Sequence, residues 1–341
     1  MKRFFSILLL VSLLLSGCAG QTVPEKKQYH ATFLTLFDTV TTITGLSESE
    51  EQFSADVQVI YDGLEECHQL FDIYNDYEGL NNLKTINDNA GGEPVAVDAR
   101  IIELLLDCKA FYEATGGKVN VAMGSVLQLW HVARNDGIND PAHAYLPDME
   151  KLKEAAGHTD FSAIVIDAAA STVQITDPQV RLDVGAVAKG WSAQFVCENA
   201  PTGLLVSVGG NVCATGPKDE TGTPWVVGVQ DPDMGDKYLH TLYLSGGSMV
   251  TSGDYQRNYA VDGKLYHHII DPQTLYPSEY WRSVTIVCGD SGVADMLSTA
   301  LFLLPLEEGK TLLESWNAEA MWVDAAGEIY YSDGFQSLIR T

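Results

Sequence analysis

Phe53, Val57, Ile60, Leu64, Cys67 and Phe71 recur at three- and four-residue spacing, which predicts an amphipathic helix from about residue 48. Ser47 and Glu50 have the form of a capping box at its start. A second helix begins at Asp98, carries Ile101, Leu105, Cys108 and Tyr112 on one face, and stops at Gly116-Gly117. Residues 32–44, rich in threonine and apolar side chains, predict a first strand, residues 118–147 read as irregular, and residues 148–156 as a short charged helix. From residue 162 the pattern changes to short β runs, at 162–166, 173–176, 204–208, 225–229, 239–244, 249–251, 255–261, 264–270 and 283–288. Helical stretches interrupt them at about 186–199, 293–304 and 307–316. Short strands in hairpins with helices between them predict an α+β fold of largely antiparallel sheets with flanking helices, one elaborate domain of two intimate lobes over residues 29–341.

The N-terminal residues carry a different pattern. Met1-Lys2-Arg3 is basic, and Phe4 to Leu15 is an apolar run too short to span a bilayer and suited to a signal peptide. Leu15-Ser16-Gly17-Cys18 looks like a bacterial lipobox. It predicts a signal peptide over residues 1–17, cleavage before Cys18, lipidation of its thiol, and a polar tether over 18–28 that holds the protein at the extracytoplasmic face of the cell membrane.

Charge narrows the partners. The chain has 20 basic and 46 acidic residues, a net charge of −26, and loss of Lys2 and Arg3 with the signal leaves −28. Such a body repels nucleic acid. With no basic cleft expected, a phosphate ligand calls for a metal cation or helix dipoles. Beyond Cys18 the cysteines are Cys67, Cys108, Cys197, Cys213 and Cys288, an odd and widely spaced set that is neither a disulfide framework nor a zinc site.

Three stretches have the composition of a chemical site. In RLDVGAVAKGW (181–191) a strand breaks at Gly185 and a helix starts with Lys189 in its first turn. That arrangement is either an anion site or a tight turn with an exposed lysine, and Asp183 is the expected compensating charge. In GVADMLSTALF (292–302), Asp295 and Thr299 share a helix face, and a carboxylate, a hydroxyl and backbone carbonyls suit Mg²⁺. In TSGDYQRNYAVDGKLYHHIIDP (251–272), Asp262-Gly263 predicts a two-residue hairpin that sets Tyr259 opposite Tyr266 and Arg257 opposite His268. Alternation then splits the two histidines, His267 to a structural face and His268 to a face where a nearby cation keeps it neutral, as a general base must be. Asp254 is the rival base.

Eight stretches in order make the chain resemble the FAD:protein FMN transferase (ApbE-like) family. They are FDT (37–39), FDIYNDYEGLNNLKTIN (71–87), TGGKVNVAMGSVLQLW (115–130), RLDVGAVAKG (181–190), SVGGNVCATG (207–216), WVVGVQDP (225–232), the 251–272 stretch and AD…STALF (294–302). The resemblance implies Mg²⁺-dependent transfer of the FMN half of FAD to a threonine or serine hydroxyl of an acceptor flavoprotein, with release of AMP. It implies Asp295, Thr299 and the carbonyls of Ala186 and Gly292 as metal ligands, and His268 as base. Phe37, Tyr74, Lys118, Val119, Asn120, Asp183, Lys189 and Ile270 match positions that contact or flank the flavin nucleotide. Asn120 stands where relatives commonly have aspartate, His131 where glycine is usual, and Thr274-Leu275 where Thr-Gly is frequent. Two other activities fit the same residues, an FAD pyrophosphatase giving FMN and AMP, and a non-catalytic flavin-binding lipoprotein.

Overall fold

The structure, a computed structural model, describes residues 26–233 and 237–341. The expected signal peptide, Cys18 and the tether up to residue 25 lie outside the described residues. The chain begins with a hairpin, β1 (Lys27–Leu36) and β2 (Thr39–Ser47), followed by α1 (Glu50–Phe71), α2 (Leu83–Asp88), β3 (Val95–Ala96), α3 (Ala99–Ala114), α4 (Gly124–Asn139) and α5 (Met149–Ala156). Next come β4 (Ile164–Asp167), β5 (Thr172–Ile175), α6 (Ala188–Asn199), β6 (Leu204–Val208), β7 (Asn211–Ala214), β8 (Trp225–Gln230), β9 (Tyr238–Leu244) and β10 (Gly247–Gly253). The remainder is β11 (Tyr259–Val261), β12 (Lys264–Tyr266), β13 (Ser283–Cys288), α7 (Ser291–Phe302), α8 (Leu306–Leu313), β14 (Ala318–Val323) and β15 (Ile329–Tyr331).

An eight-stranded antiparallel sheet in the order β1-β2-β6-β7-β10-β13-β14-β15 is the backbone of the fold. Helix α6 packs between α1 and α7, and α7 lies on β10 and β13. A smaller sheet, β3-β5-β4, shares the main core, since Val173 and Ile175 cluster with Ile101, Leu297 and Trp322. The two expected lobes are therefore one body with a common apolar interior. No helix among the described residues is long and apolar enough to cross a membrane.

The strand predicted at 32–44 is two strands. Phe37 and Asp38 form the loop between β1 and β2 and both adopt positive φ, 54° and 49°, the twist that a two-residue hairpin requires. With phenylalanine first and no glycine, the lone Asp38 was a weak local signal. β1 also takes in Lys27 and Gln28, which pair with Ser47 and Leu46, so the tether stops short of them. Ser47 belongs to that ladder, and α1 is capped instead by Ser49, whose hydroxyl accepts from the Gln52 amide at 3.2 Å.

The stretch read as irregular contains α4. Its buried stripe, Val126, Trp130, Ala133 and Gly137, is one residue wide and half of it is small, which leaves a weak periodic signal. β7, β14 and β15 also went unanticipated; β7 is buried on both faces and so has no alternation. The hairpin at Asp262-Gly263 has the expected register, Tyr259↔Tyr266, Ala260↔Leu265 and Val261↔Lys264. It does not extend to Arg257 opposite His268, because Arg257 sits at φ 46° and ends the ladder. All five described cysteines are free, and burial pushes the Cys67 thiol up to about 11, so it is unreactive at neutral pH.

Candidate functional site

A cavity of about 310 Å³ opens between the β1–β2 tip, the C-terminal end of α1, the starts of α4 and α6, the segment after β10, and α7. The turn into α6 forms one wall. Asp183 donates its amide to the Val121 carbonyl at 2.8 Å, and its carboxylate accepts from the Gly185 amide at 2.9 Å, so it holds its own loop. In the first turn of α6 the Gly190 amide turns away from the carbonyl four residues back and donates to Asp295 Oδ2 at 2.9 Å. The Ala186 carbonyl consequently accepts no hydrogen bond among the described residues. Lys189 Nζ lies 3.6 Å from Asp295 Oδ2, so the charge that offsets Lys189 is Asp295 rather than Asp183.

Gly190 has to be glycine at this helix crossing. A Cβ there would collide with Asp295 Cβ and the Ser291 carbonyl. Gly190→Ala is expected to cost about 1–3 kcal/mol by overpacking, read as a lower denaturation midpoint.

Asp295 and Thr299 both line the cavity from one face of α7. Asp295 is 4 % exposed, and the Thr299 hydroxyl makes no hydrogen bond among the described residues. No three His, Cys, Asp or Glu side chains gather as a metal cluster among the described residues. What the wall offers is one carboxylate, one free hydroxyl and one unclaimed carbonyl, a hard-oxygen set that fits Mg²⁺ with water and phosphate completing its shell. Gly292 is not among the lining residues; it lies in the first turn of α7 against the Trp191 backbone.

His268 lines the cavity, and its Nδ1 is buried without a partner. Burial first, then the charges of Arg257, His267, Lys189 and Arg134, push its pKa down to about 3, so the ring is neutral. His267 faces the other way. Its Nε2 donates to the Ser278 carbonyl at 2.7 Å, its Nδ1 accepts from the Ile269 amide at 3.2 Å, and its ring meets Phe302 edge-on. It is structural, as alternation had suggested. Asp254 is not a lining residue. Its Oδ2 accepts from Arg282 Nε at 2.7 Å, and burial raises its carboxyl.

The remaining expected contacts come together around the same space. Phe37 lies at the hairpin tip with its ring edge-on to His68, and Tyr74 stands exposed with its hydroxyl 3.2 Å from His131 Nδ1. Lys118 is tied to Asp271 at 3.1 Å and Gln273 at 3.2 Å. Val119 and Ile270 are buried apolar lining. Asn120 commits both ends of its amide, donating to the Thr159 carbonyl at 2.8 Å and accepting from the Ala122 amide at 2.9 Å.

Arg134 on α4 escaped the sequence reading, whereas Arg257 before β11 was expected beside His268 and does act on it, though from outside a strand. The first lies in the stretch that had no visible period. The second was placed in a strand register that the backbone leaves. With Lys118 and Lys189 they put four cations on the cavity wall, beside Asp38, Asp72, Asp183 and Asp295 in the same lining, so the acidic chain does gather positive charge there.

A single-domain antiparallel α+β protein with aromatic rings at a cavity mouth and cations on its walls is built to bind a large ligand that joins a flat ring system to phosphate-type charge. The chain belongs to the ApbE family, whose model matches residues 37–322. It is 34% identical over 277 residues, 76% of this chain and 75% of the relative, to the FAD:protein FMN transferase of Treponema pallidum (strain Nichols). It is 30% identical over 275 residues, 77% of this chain and 83% of the relative, to that of Klebsiella pneumoniae (strain 342). The solved ApbE protein of Thermotoga maritima superposes with a TM-score of 0.81 at 29% identity, covering 92% of this chain and 100% of that one.

Proposed function

We propose that this protein is an FAD:protein FMN transferase that moves the FMN half of FAD onto a threonine or serine hydroxyl of an acceptor flavoprotein and releases AMP. The observation that carries the reading is a neutral His268 in one cavity with Asp295, Thr299 and the unclaimed Ala186 carbonyl.

In the reaction the acceptor hydroxyl oxygen forms a bond to the FMN phosphorus, the bridging P–O bond of the diphosphate breaks, and its electron pair leaves with AMP. His268 takes the hydroxyl proton, which its uncharged ring can do. Lys189, at the start of α6, adds positive charge where the diphosphate lies. Asp295, Thr299 and the Ala186 carbonyl would hold Mg²⁺, which on binding neutralises diphosphate charge and stabilises the leaving group. Asp295 also orders the wall itself, since it joins the Gly190 amide and the Lys189 ammonium.

The reading of residues 1–18 adds a lipid anchor at Cys18 and a position outside the cytoplasmic membrane, where the acceptor would be met. Chromatography of the products with and without acceptor tests the chemistry. The proposal expects AMP to appear with flavin bound to acceptor, and little free FMN. Equal free FMN and AMP, indifferent to acceptor, would show water as the nucleophile and a pyrophosphatase instead. Tight FAD binding with no turnover at any metal concentration would show a flavin-binding protein.

A further inference from the structure

We infer that Arg134 and Arg257 form a two-guanidinium clamp for the diphosphate of the flavin substrate, an inference that rests on the flavin transferase reading. Both side chains line the cavity, one from α4 and one from the segment between β10 and β11. The other two cations of the wall are already paired, Lys118 with Asp271 and Lys189 with Asp295. Neither guanidinium has a hydrogen-bond or ion-pair partner among the described residues.

Three features make that idleness informative. The two guanidiniums are close enough that the charge of Arg257 adds to burial in lowering Arg134 from its ordinary value, and both act on His268. Asp183 offsets part of that charge at Arg134 without pairing with it, and an anion bound between the two guanidiniums would offset the rest. Arg257 also adopts φ 46°, a left-handed conformation that non-glycine residues other than asparagine and aspartate seldom keep without cause. The chain has 46 acidic side chains, and Asp38, Asp72, Asp183 and Asp295 share the cavity lining, yet neither arginine forms an ion pair with one of them. The planar fork of each guanidinium matches a phosphate bidentately, which an ammonium does not. Their charge favours entry of a dinucleotide's phosphates into so acidic a body.

The test uses the full chain with Mg²⁺ and compares Arg134→Gln, Arg257→Gln and the double variant with the wild type. Titration calorimetry reads the affinity for FAD, for riboflavin, which has no phosphate, and for inorganic pyrophosphate. Each single change is expected to weaken FAD roughly tenfold and the pair roughly a hundredfold, with pyrophosphate falling in parallel and riboflavin unchanged. Arg134→Lys and Arg257→Lys should recover part of the loss, and unchanged melting temperatures show that the variants fold. Equal losses for FAD and riboflavin, or FAD affinity indifferent to both arginines, would overturn the clamp. An acceptor that is labelled while FAD affinity ignores the arginines leaves the transferase reading standing and removes the clamp. An acceptor that is never labelled while the double variant loses FAD alone does the reverse.

Discussion

Replacing His268 by alanine is expected to lower the rate of FMN transfer by about 10²–10⁴-fold, the usual contribution of a positioned general base, while FAD affinity changes little. The split matters, because a merely structural histidine would alter folding or FAD affinity as well as turnover. Steady-state kinetics with saturating acceptor, set beside FAD binding, reads it. Burial and the positive charges of Arg257, Lys189 and Arg134 hold the free imidazole neutral down to about pH 3. The acid limb of kcat/KM, which reports the free enzyme, should therefore show no ionisation of this group between pH 5 and pH 8. The same fact has a stability consequence. The unfolded chain protonates His268 near its ordinary value of 6.5 and the folded chain does so near 3. Between those values the unfolded state binds the extra proton, so stability contributed by the neutral ring is lost as pH falls from about 6.5 towards 3. A His268→Ala chain should lose less stability over that window, measured by denaturant unfolding at several pH values. Asp254, held by Arg282 outside the cavity, should not reproduce the kinetic loss when changed to asparagine.

The second large effect is expected at Asp295. Asp295→Asn keeps an oxygen for the Gly190 amide and so preserves the α6–α7 contact, but it removes the only carboxylate of the proposed metal set and the partner of Lys189. Changes to residues that only support metal ligands already cost about 10–100-fold in metal affinity or activity. Loss of the carboxylate itself should therefore exceed about 100-fold in Mg²⁺ affinity and in transfer rate. Asp295→Ala should add a stability loss of about 1–3 kcal/mol, because it also strands the buried Gly190 N–H. Calorimetric Mg²⁺ titration and thermal unfolding of the two variants separate the metal from the fold. Unaltered Mg²⁺ affinity in Asp295→Asn would remove Asp295 from the metal set.

What could be read in the sequence was what is encoded locally. The helices of Phe53 to Phe71 and Ile101 to Tyr112 bury wide stripes of large side chains, so their period survives. Asp262-Gly263 has the turn residues its loop needs, with φ 50° and 81°, and it set the register from Tyr259↔Tyr266 to Val261↔Lys264. Asp295 and Thr299 lie one turn apart on α7, so their convergence on one space follows from helix geometry alone. Features that depend on contacts between distant segments were not legible. Lys189 finds Asp295, 106 residues away, rather than the nearer Asp183. Arg134 and Arg257 share one cavity only because α4 and the β10–β11 segment both border it. The Phe37-Asp38 turn has no glycine and puts a phenylalanine in its first position, and α4 hides its stripe in alanine and glycine.

The central claim is tested most directly by intact-mass and fragment-ion spectrometry of an acceptor flavoprotein after incubation with this enzyme, FAD and Mg²⁺. The account predicts a mass gain equal to FMN less one water, located on a single threonine or serine, with one AMP released per acceptor modified, and neither seen with His268→Ala. An acceptor of unchanged mass, with FAD left intact or consumed equally in its absence, would contradict it.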